Sequence, residues 1–306
     1  MRLGFSLPQG GALATPDAIT QVARRAEELG YASLWTLDRF LYPVQPQTPY
    51  PGTPDGHLPE QMRVMLDPLE ALTFAAAHTS RIALGTSVLV MGYRNPVMLA
   101  QTLTTLDVLS GGRLKVGLGQ GWSKDEHDAV GVKMSDRAAR ADEFIQVIKA
   151  IWTRDPVEHH GKFFHFRRSH ILPKPVQKPH PPIFLAAYTP GSMKRVATLA
   201  DGWNPTGIPV AGMAQMMEGI RGMAQQAGRN PKELQMIVRG NLYVSPQPMG
   251  ADRFIFTGSL DQIKADVQAC QGIGADEVFF DPFFSPGVAS TDQVLRLMEQ
   301  LRGAAS

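Results

Sequence analysis

The sequence predicts an α/β protein, a (β/α)8 TIM barrel with insertions. Eight short apolar runs alternate along its 306 residues with eight segments of helical periodicity. The apolar runs are continuous, which is typical of parallel strands that are covered on both faces. An open doubly wound sheet would also alternate strands and helices, but eight such units in about 300 residues favour the closed barrel.

The predicted elements follow one another along the chain. Strands are predicted at 3–7, 33–37, 81–90, 113–118, 183–187, 202–204, 234–244 and 277–280. Helices are predicted at 15–29, 69–78, 96–109, 138–152, 192–200, 213–227, 259–271 and 291–301. The first helix shows the residues that mark a helix start and end: Thr15 supplies an N-cap, Pro16 takes the first helical position and Gly30 follows the last turn.

Two segments interrupt the alternation, and both are predicted as insertions in a single domain that spans 1–306. The first, about 41–66, is rich in proline and has little apolar periodicity. A loop of this length in a compact domain is usually a lid or a disordered segment, and the lid is favoured because the loop has side chains that can pack. The side chains that could pack over a ligand are Tyr42, Tyr50, His57 and Met62. The second insertion, about 155–182, contains an alternating stretch at 161–166 that indicates a surface hairpin.

The composition restricts the classes of partner. The net charge of +2 gives no reason to expect a nucleic-acid partner. The best apolar run, 82–91, falls short of the roughly 20 residues that a membrane helix needs, so no membrane partner is expected. Cys270 is the only cysteine, which excludes an intrachain disulfide and favours a reducing, cytoplasmic location.

The stretch 111–122 organises the predicted mouth of the barrel. It leads from a glycine turn through the fourth strand to Gly117, Gly119 and Gly121, and it ends at Trp122. Glycine lets a backbone approach a ligand closely. These residues therefore suggest a floor for a flat molecule, and a tight turn with a packed tryptophan is the alternative.

Further candidate residues lie at or just after the predicted strand ends, where a barrel collects its catalytic groups. They are Ser6, Asp38, Arg39, Ser87, Val88, Gln120, Gly121, Trp122, Tyr188, Thr189, Pro190, Gly191, Ser192, Asn204 and Asp281. The segment 189–192 opens a helix, so its free N–H groups and the helix dipole form an anion site of the kind that phosphate occupies. A plain N-cap by Thr189 or Ser192 fits the sequence equally well.

Three other patterns carry less weight. The glycines at 117–121 lack the G-x-G-x-x-G spacing and follow the fourth strand, which argues against a dinucleotide fold. The cluster at 158–170 consists of Glu158, His159, His160, His165 and His170. No metal site is expected there, because a surface hairpin explains the segment and no cysteine or carboxylate pattern accompanies it. The sequence at 126–128 is more typical of a solvated loop or a helix start than of a site.

In these residues the chain resembles the bacterial luciferase-like superfamily, which includes flavin-dependent monooxygenases and oxidoreductases that use the deazaflavin coenzyme F420. The matching pieces are, in order, ELGYASLW at 28–35, RIALGTSV at 81–88, SGGRL at 110–114, GLGQGW at 117–122 and LADGWN at 199–204. The resemblance covers nearly the whole chain. The family's fold is a (β/α)8 barrel with inserts, and the hairpin near 161 would belong to its insertion.

The resemblance implies roles for the residues at the mouth. Asp38 would lie beside the cofactor ring, and Ser87-Val88 would form the family's non-proline cis peptide against the middle ring. Gln120, Gly121 and Trp122 would line the ribityl chain and the substrate side. Tyr188 to Ser192 would bind the phosphate, and Ser6 is placed with the cofactor-binding residues.

Two positions differ from the sugar-phosphate dehydrogenases of the family. Those enzymes carry a histidine where Arg39 stands and a glutamate where Trp122 stands. Because both differences remove acid–base groups that oxidise an alcohol, we expect an F420-dependent oxidoreductase that acts as a reductase. It would transfer a hydride between the deazaflavin C5 and a small organic substrate, with Asp38 and Arg39 as the catalytic candidates.

Two alternatives keep the same fold. One is a luciferase-like monooxygenase that uses FMN, and the other is a barrel that binds a flavin without turnover. The expected partners are a small-molecule substrate, a separate reductase for the cofactor and a second copy of the chain in a homodimer.

Overall fold

The computed structural model describes residues 1–53, 55–285 and 288–304, and its centre is a closed parallel barrel. The barrel strands are β1 (Arg2–Ser6), β2 (Ser33–Thr36), β3 (Ala83–Thr86), β4 (Leu114–Gly119), β5 (Ile183–Leu185), β6 (Gly202–Trp203), β7 (Gln235–Asn241) and β8 (Glu277–Asp281). Their order is β3-β2-β1-β8-β7-β6-β5-β4, and β4 pairs with β3 to close the ring. The predicted TIM barrel is confirmed.

Helices surround the barrel. Within the described ranges they are α1 (Pro16–Glu28), α2 (Pro68–Ala77), α3 (Pro96–Leu109), α4 (Lys124–Ala129), α5 (Arg137–Thr153), α6 (Pro190–Leu199), α7 (Val210–Gln226), α8 (Leu260–Gly272) and α9 (Thr291–Ala304). Side-chain caps fix several starts, as Thr15 does by accepting a hydrogen bond from the N–H of Ala18. The sequence predicts all of these helices except the short α4.

Aromatic side chains fill the interior of the barrel. Trp35 stacks on Phe279 with ring centroids 4.6 Å apart and planes 14° from parallel. Gly85 lies directly against the Trp35 ring, where a side chain would collide with it. At the N-terminal end of the barrel, the buried Glu277 carboxylate accepts hydrogen bonds from Trp35 Nε1 at 3.2 Å and from Lys115 Nζ at 2.6 Å. The filled interior leaves the C-terminal ends of the strands as the place for a ligand.

Two predicted strands differ most from the observed ones. The prediction of one strand at 81–90 is wrong in its middle, because the chain leaves β3 at Thr86 and resumes as the short strand Leu89–Val90, which pairs with β4. The strand predicted at 234–244 ends at Asn241, and the next pair of residues, Tyr243–Val244, pairs with Thr257–Gly258 instead.

The two predicted insertions differ in regularity. Residues 41–66, as far as they are described, contain the short 3-10 helix Glu60–Arg63 and otherwise irregular backbone. Residues 155–182 begin with an antiparallel pair of strands, Val157–His160 and His165–Ser169, so the predicted hairpin is confirmed. No helix in the described ranges has the length and apolar character that crossing a bilayer requires.

Candidate active site

Side chains from the C-terminal ends of several strands meet at the mouth of the barrel. Ser6 at the end of β1, Ser87 after β3 and Asp281 at the end of β8 line one small cavity of about 10 Å³. Arg239 of β7 also lines this cavity. The sequence places these strand ends together because all of the strands are parallel.

A hydrogen-bonded chain connects β3, β6, β7 and β8 across this mouth. The Ser87 hydroxyl donates to Oδ1 of Asn204 at 2.6 Å, and the Asn204 amide donates to the carbonyl of Ile237 at 2.7 Å. The guanidinium of Arg239 donates to the Ser87 carbonyl at 3.0 Å and pairs with the Asp281 carboxylate. The peptide bond between Ser87 and Val88 is cis, as the resemblance implies.

Packing within the barrel explains why glycine stands at the end of β4, whereas the sequence suggests close approach to a ligand. A side chain at Gly117 would collide with the carbonyl oxygen of Thr86, and one at Gly119 would collide with Val88. Both glycines therefore let β4 pack against the segment 86–88. This backbone contact is a sufficient reason for both glycines, and a floor for a flat molecule stays a prediction.

Position 121 requires glycine for two independent reasons. Its φ of +74° lies in the left-handed region, which residues with a Cβ rarely adopt. A Cβ there would also lie 2.7 Å from Cε1 of His127 and 2.7 Å from Cγ1 of Val90. The local fold thus requires glycine at this position whether or not a cofactor passes close to it.

Asp38 lies under the mouth with both of its carboxylate oxygens engaged. Oδ2 accepts the N–H of Val90 at 3.0 Å, and Oδ1 accepts Nη2 of Arg94 at 3.0 Å. The same Arg94 nitrogen lies 3.1 Å from the Asp67 carboxylate. Burial raises the pKa of the Asp38 carboxyl, against the opposing effect of Arg94. These contacts tie the end of β2 to the segment after the short strand at 89–90.

Arg39 does not pair with its neighbour Asp38. Its guanidinium lies over the Trp122 ring, 4.9 Å from the centroid, and Nη2 is 3.4 Å from a carboxylate oxygen of Glu126. Nη1 donates to the carbonyl of Leu41 at 3.3 Å. The Arg39 side chain is 4% exposed, so the cation is held by these groups rather than by water.

Glu126 is the site residue that sequence reasoning missed. Of the two alternatives for 126–128, the helix start is present as α4, and the solvated loop is wrong for Glu126 and His127, which are buried. The Glu126 carboxylate accepts the hydroxyl of Tyr93 at 2.9 Å and the N–H of Phe40 at 3.2 Å. Burial raises the pKa of this carboxyl, and Arg39 opposes that shift. The available signal was Ser123, which caps α4 by accepting the N–H of Glu126.

The start of the loop 41–66 is fastened to α4. The N–H of Gln47 donates to the Asp125 carboxylate at 3.0 Å, and the N–H of Lys124 donates to the Thr48 hydroxyl at 3.2 Å. Together with the contacts of Glu126, these bonds place the beginning of the loop beside the mouth.

Tyr50 brings the same loop across the mouth. Its ring centroid lies 5.3 Å from that of Trp122 and 6.4 Å from that of Phe284, which follows β8. The Tyr42 hydroxyl instead donates to the carbonyl of Leu58 at 3.0 Å, inside the loop. The loop therefore covers part of the mouth, while its movement as a lid stays a prediction.

The segment 188–192 is the capped start of α6. The N–H of Thr189 donates to the Ser192 hydroxyl at 2.9 Å, and the N–H of Ser192 donates to the Thr189 hydroxyl at 3.4 Å. Tyr188, Thr189, Pro190 and Gly191 are exposed, and a Cβ added to Gly191 would meet no atom within 4 Å. The N-cap that the sequence allowed is present. Phosphate binding at the exposed turn stays a prediction.

A larger cleft opens beside the mouth between the β1–α1 and β8–α9 connections. Its volume is about 320 Å³, near the lower end of the roughly 300–1,000 Å³ that small-molecule sites have. Ser6 and Asp281 border it, and much of the remaining wall is apolar, including Leu13, Phe283 and Val294. The cleft can therefore hold the body of a small organic molecule next to the mouth.

The histidines of the hairpin lie apart from this mouth and make local contacts. His159 contacts the Glu143 carboxylate at 3.1 Å, and His160 contacts His165 at 3.1 Å. His170 contacts Asp155 at 2.9 Å. In the described part of the chain, no group of three or more potential metal ligands has the geometry of a metal site.

The sequence of this chain has curated relatives with two kinds of cofactor. An uncharacterized protein of Mycobacterium tuberculosis (strain ATCC 25618 / H37Rv) is 36% identical over 219 residues, which are 70% of this chain and 76% of that protein. The F420-dependent glucose-6-phosphate dehydrogenase of Kineococcus radiotolerans is 35% identical over 192 residues, 61% of this chain and 52% of that protein. The FMNH2-dependent dimethylsulfone monooxygenase of Pseudomonas putida is 29% identical over 193 residues, 62% of this chain and 52% of that protein.

Solved structures share the whole fold. Monooxygenase RslO1 from Streptomyces bottropensis superimposes with a TM-score of 0.81 at 22% identity, covering 99% of this chain and 98% of that one. The coenzyme F420 dependent tetrahydromethanopterin reductase from Methanopyrus kandleri gives a TM-score of 0.76 at 18% identity, covering 100% and 99%. At these identities the likeness establishes the fold alone.

The family assignment rests on sequence. Residues 1–265 of the 306 match the family model of the luciferase-like monooxygenases. The chain therefore belongs to the luciferase-like monooxygenase family and is an oxidoreductase.

Proposed function

We propose that this chain is an F420-dependent reductase that transfers a hydride between the deazaflavin C5 and a small organic substrate. The observation that carries the proposal is the stacking of Arg39 on Trp122, 4.9 Å from its centroid. These two residues occupy the positions of the acid–base pair in the sugar-phosphate dehydrogenases that the chain resembles. Arginine keeps its proton at any working pH and tryptophan has none to exchange, so neither can accept the proton of an alcohol.

The carboxylates near the mouth support the same direction of reaction. Asp38 is paired with Arg94, Glu126 with Arg39, and Asp281 with Arg239. Although burial raises the pKa of Asp38 and of Glu126, each of the three carboxylates already contacts a guanidinium, so none is placed as a free base for an alcohol. Oxidation of an alcohol needs a base, whereas reduction of an activated alkene, imine or nitro group needs a hydride and a proton donor.

The chemistry of the mouth fits a deazaflavin or a flavin. Ser6 and Gln120 offer a hydroxyl and an amide from different strand ends, and both are partly exposed. Trp122 offers an apolar face. The exposed turn at Gly191 has room for a phosphate at a helix N-terminus. In this proposal Gln120, Gly121, Trp122, Ser87 and Val88 line the ring and ribityl chain, and Tyr188, Thr189, Pro190, Gly191 and Ser192 bind the phosphate.

The residues of the chain would bind and orient the reactants. When bound, reduced F420 supplies a hydride from C5. Asp38 holds Arg94 and the backbone at Val90, and so keeps the end of β2 in place. Arg39 provides a fixed positive charge against which a polarised substrate oxygen can gain negative charge. The apolar cleft beside Ser6 would take the body of the substrate, and proximity would be the main contribution to the rate.

Comparative titration tests the choice of cofactor. The purified protein is titrated separately with F420 and with FMN, and the two dissociation constants are compared. The proposal expects F420 to bind more tightly. Tighter binding of FMN would favour a monooxygenase, as in the Pseudomonas putida relative, and binding of either cofactor without turnover would favour a carrier.

The remaining expectations belong to the same proposal. A separate reductase would regenerate the cofactor, because each transferred hydride has to be replaced. The chain would act as one domain over 1–306, in the cytoplasm, and as a homodimer. Light scattering on the purified protein tests the dimer.

A further inference from the structure

The loop 41–66 places one polar group over the mouth that the proposed function does not yet use, the hydroxyl of Tyr50. The Tyr50 ring lies between Trp122 after β4 and Phe284 after β8, with centroids at 5.3 and 6.4 Å. The charged groups that act on the Tyr50 hydroxyl are Arg239, Asp281 and Arg39, all from the ends of barrel strands or just beyond. The ring therefore reaches from the loop to the opposite sides of the mouth.

The hydroxyl of Tyr50 differs from those of Tyr31, which is buried, and Tyr93, which is half-buried. Tyr31 donates to the carbonyl of Met298 at 2.8 Å, and Tyr93 donates to Glu126 at 2.9 Å. Among the residues that the structure describes, the Tyr50 hydroxyl has no hydrogen-bond partner. Tyr50 is half-buried and its hydroxyl is not sealed inside the protein, so a bound molecule can reach it.

The loop backbone fixes the position of this hydroxyl. The N–H of Tyr50 donates to the carbonyl of Gly56 at 2.7 Å, which closes a turn. Gly52 in that turn lies against the phenol, since a Cβ added there would be 2.7 Å from the hydroxyl oxygen. The ring is thus supported from behind by the loop and from the sides by Trp122 and Phe284.

We propose that Tyr50 donates the proton that completes reduction of the substrate. The inference rests on the proposed reductase function. For an activated alkene, the hydride supplied by the reduced deazaflavin adds to the β-carbon. The Tyr50 O–H bond breaks as the proton passes to the enolate of the substrate. The electron pair stays on the phenolate oxygen, which regains a proton from solvent.

The electrostatic surroundings suit this role. Burial raises the pKa of the Tyr50 hydroxyl, and Asp281 acts in the same direction, so the group keeps its proton until the reaction needs it. Arg239 and Arg39 act in the opposite direction and would stabilise the phenolate after transfer. A positioned acid of this kind contributes about 10²–10⁴-fold to a rate.

The test compares Tyr50→Phe with Tyr42→Phe. The probe reaction is the anaerobic reduction of cyclohex-2-en-1-one by reduced F420. Tyr50→Phe keeps the ring between Trp122 and Phe284, so the dissociation constant of F420 should stay unchanged while kcat falls by about 10²–10⁴-fold. Tyr42→Phe is the control in the same loop, because its hydroxyl bonds only within the loop, to the Leu58 carbonyl among others, and it should leave kcat unchanged.

Two further measurements support the test. The first needs no turnover, and the second leaves the Tyr50 side chain itself unchanged. The difference in tyrosine absorbance between wild type and Tyr50→Phe, followed against pH without cofactor, should reveal one hydroxyl that titrates above the ordinary range. Gly52→Ala should displace the hydroxyl and lower kcat while the dissociation constant of F420 is preserved.

The outcomes separate the two proposals. A wild-type protein that turns over and a Tyr50→Phe variant with the same kcat would overturn the role of Tyr50 and leave the reductase intact. An ordinary pKa for Tyr50 in the difference titration would also overturn it. A wild-type protein that fails to bind F420 would overturn the reductase function and this role with it.

Discussion

The guanidinium of Arg39 lies 4.9 Å from the ring centroid of Trp122, and this contact joins the ends of β2 and β4 at the mouth of the barrel. The buried Glu126 holds the other side of the same guanidinium at 3.4 Å. Arg39 is therefore fixed between a carboxylate and an aromatic face. In the proposed function it would stabilise negative charge on a substrate without taking part in proton exchange.

Replacing Glu126 tests the support of Arg39. Glu126→Gln removes the carboxylate that faces a buried cation, and we expect the free energy of unfolding to fall by about 3 kcal/mol or more. Urea denaturation measures the change. Asp128→Asn is the matched control on α4, because its pair with Lys124 is exposed and contributes little. Equal stability of the two variants would contradict the support that we assign to Glu126.

Replacing Trp122 separates the shape of the mouth from its chemistry. Trp122→Phe retains an aromatic face for Arg39 and Tyr50, so we expect unchanged affinity for F420 and a change in kcat below about tenfold, or ~1.4 kcal/mol. Trp122→Glu should still not oxidise alcohols, because Arg39 remains where a dehydrogenase has histidine. Loss of turnover in Trp122→Phe with the cofactor still bound would show that the indole has a more direct role.

Alanine substitutions at two glycines test the close packing around Gly121. Gly121 and Gly131 both have positive φ, +74° and +69°, so an alanine at either costs about 1–3 kcal/mol for the backbone. A Cβ at Gly121 would also meet His127 and Val90 at 2.7 Å, whereas one at Gly131 would meet nothing within 4 Å. Gly121→Ala should therefore lower the melting temperature more than Gly131→Ala. Gly121→Val should lower the melting temperature further. Equal shifts of the melting temperature in the two alanine variants would show that close packing against His127 and Val90 does not restrict this position.

Substitution of Gly191 tests the proposed phosphate site. Gly191→Asp places a carboxylate on the exposed first turn of α6, where it would repel a phosphate. We expect much weaker binding of F420 and an unchanged melting temperature. Gly250→Asp is the control, since Gly250 is also exposed and a Cβ there would meet nothing within 4 Å. If Gly191→Asp binds F420 as tightly as the control does, the phosphate binds elsewhere.

The sequence predicts the barrel well because the signals for its elements are local. Continuous apolar runs indicate buried parallel strands, and caps such as Thr15 mark helix starts. The errors arise where distant segments meet. The sequence gives no sign that the carbonyl of Thr86 lies against Gly117. At 126–128 it allows a solvated loop or a helix start, and only the helix start is present, with Glu126 buried beside Arg39. Periodicity carries no information on such pairs, since they depend on the closure of the barrel.

The most direct test of the central claim follows the transferred hydrogen. Reduced F420 with both C5 hydrogens replaced by deuterium is mixed with cyclohex-2-en-1-one and the protein, without oxygen, and the product is analysed by mass spectrometry. The account predicts cyclohexanone that carries one deuterium on the β-carbon. The account would be contradicted by two results together. The product of the F420 reaction would contain no deuterium, and product would form only with reduced FMN in air and contain an oxygen atom from O2.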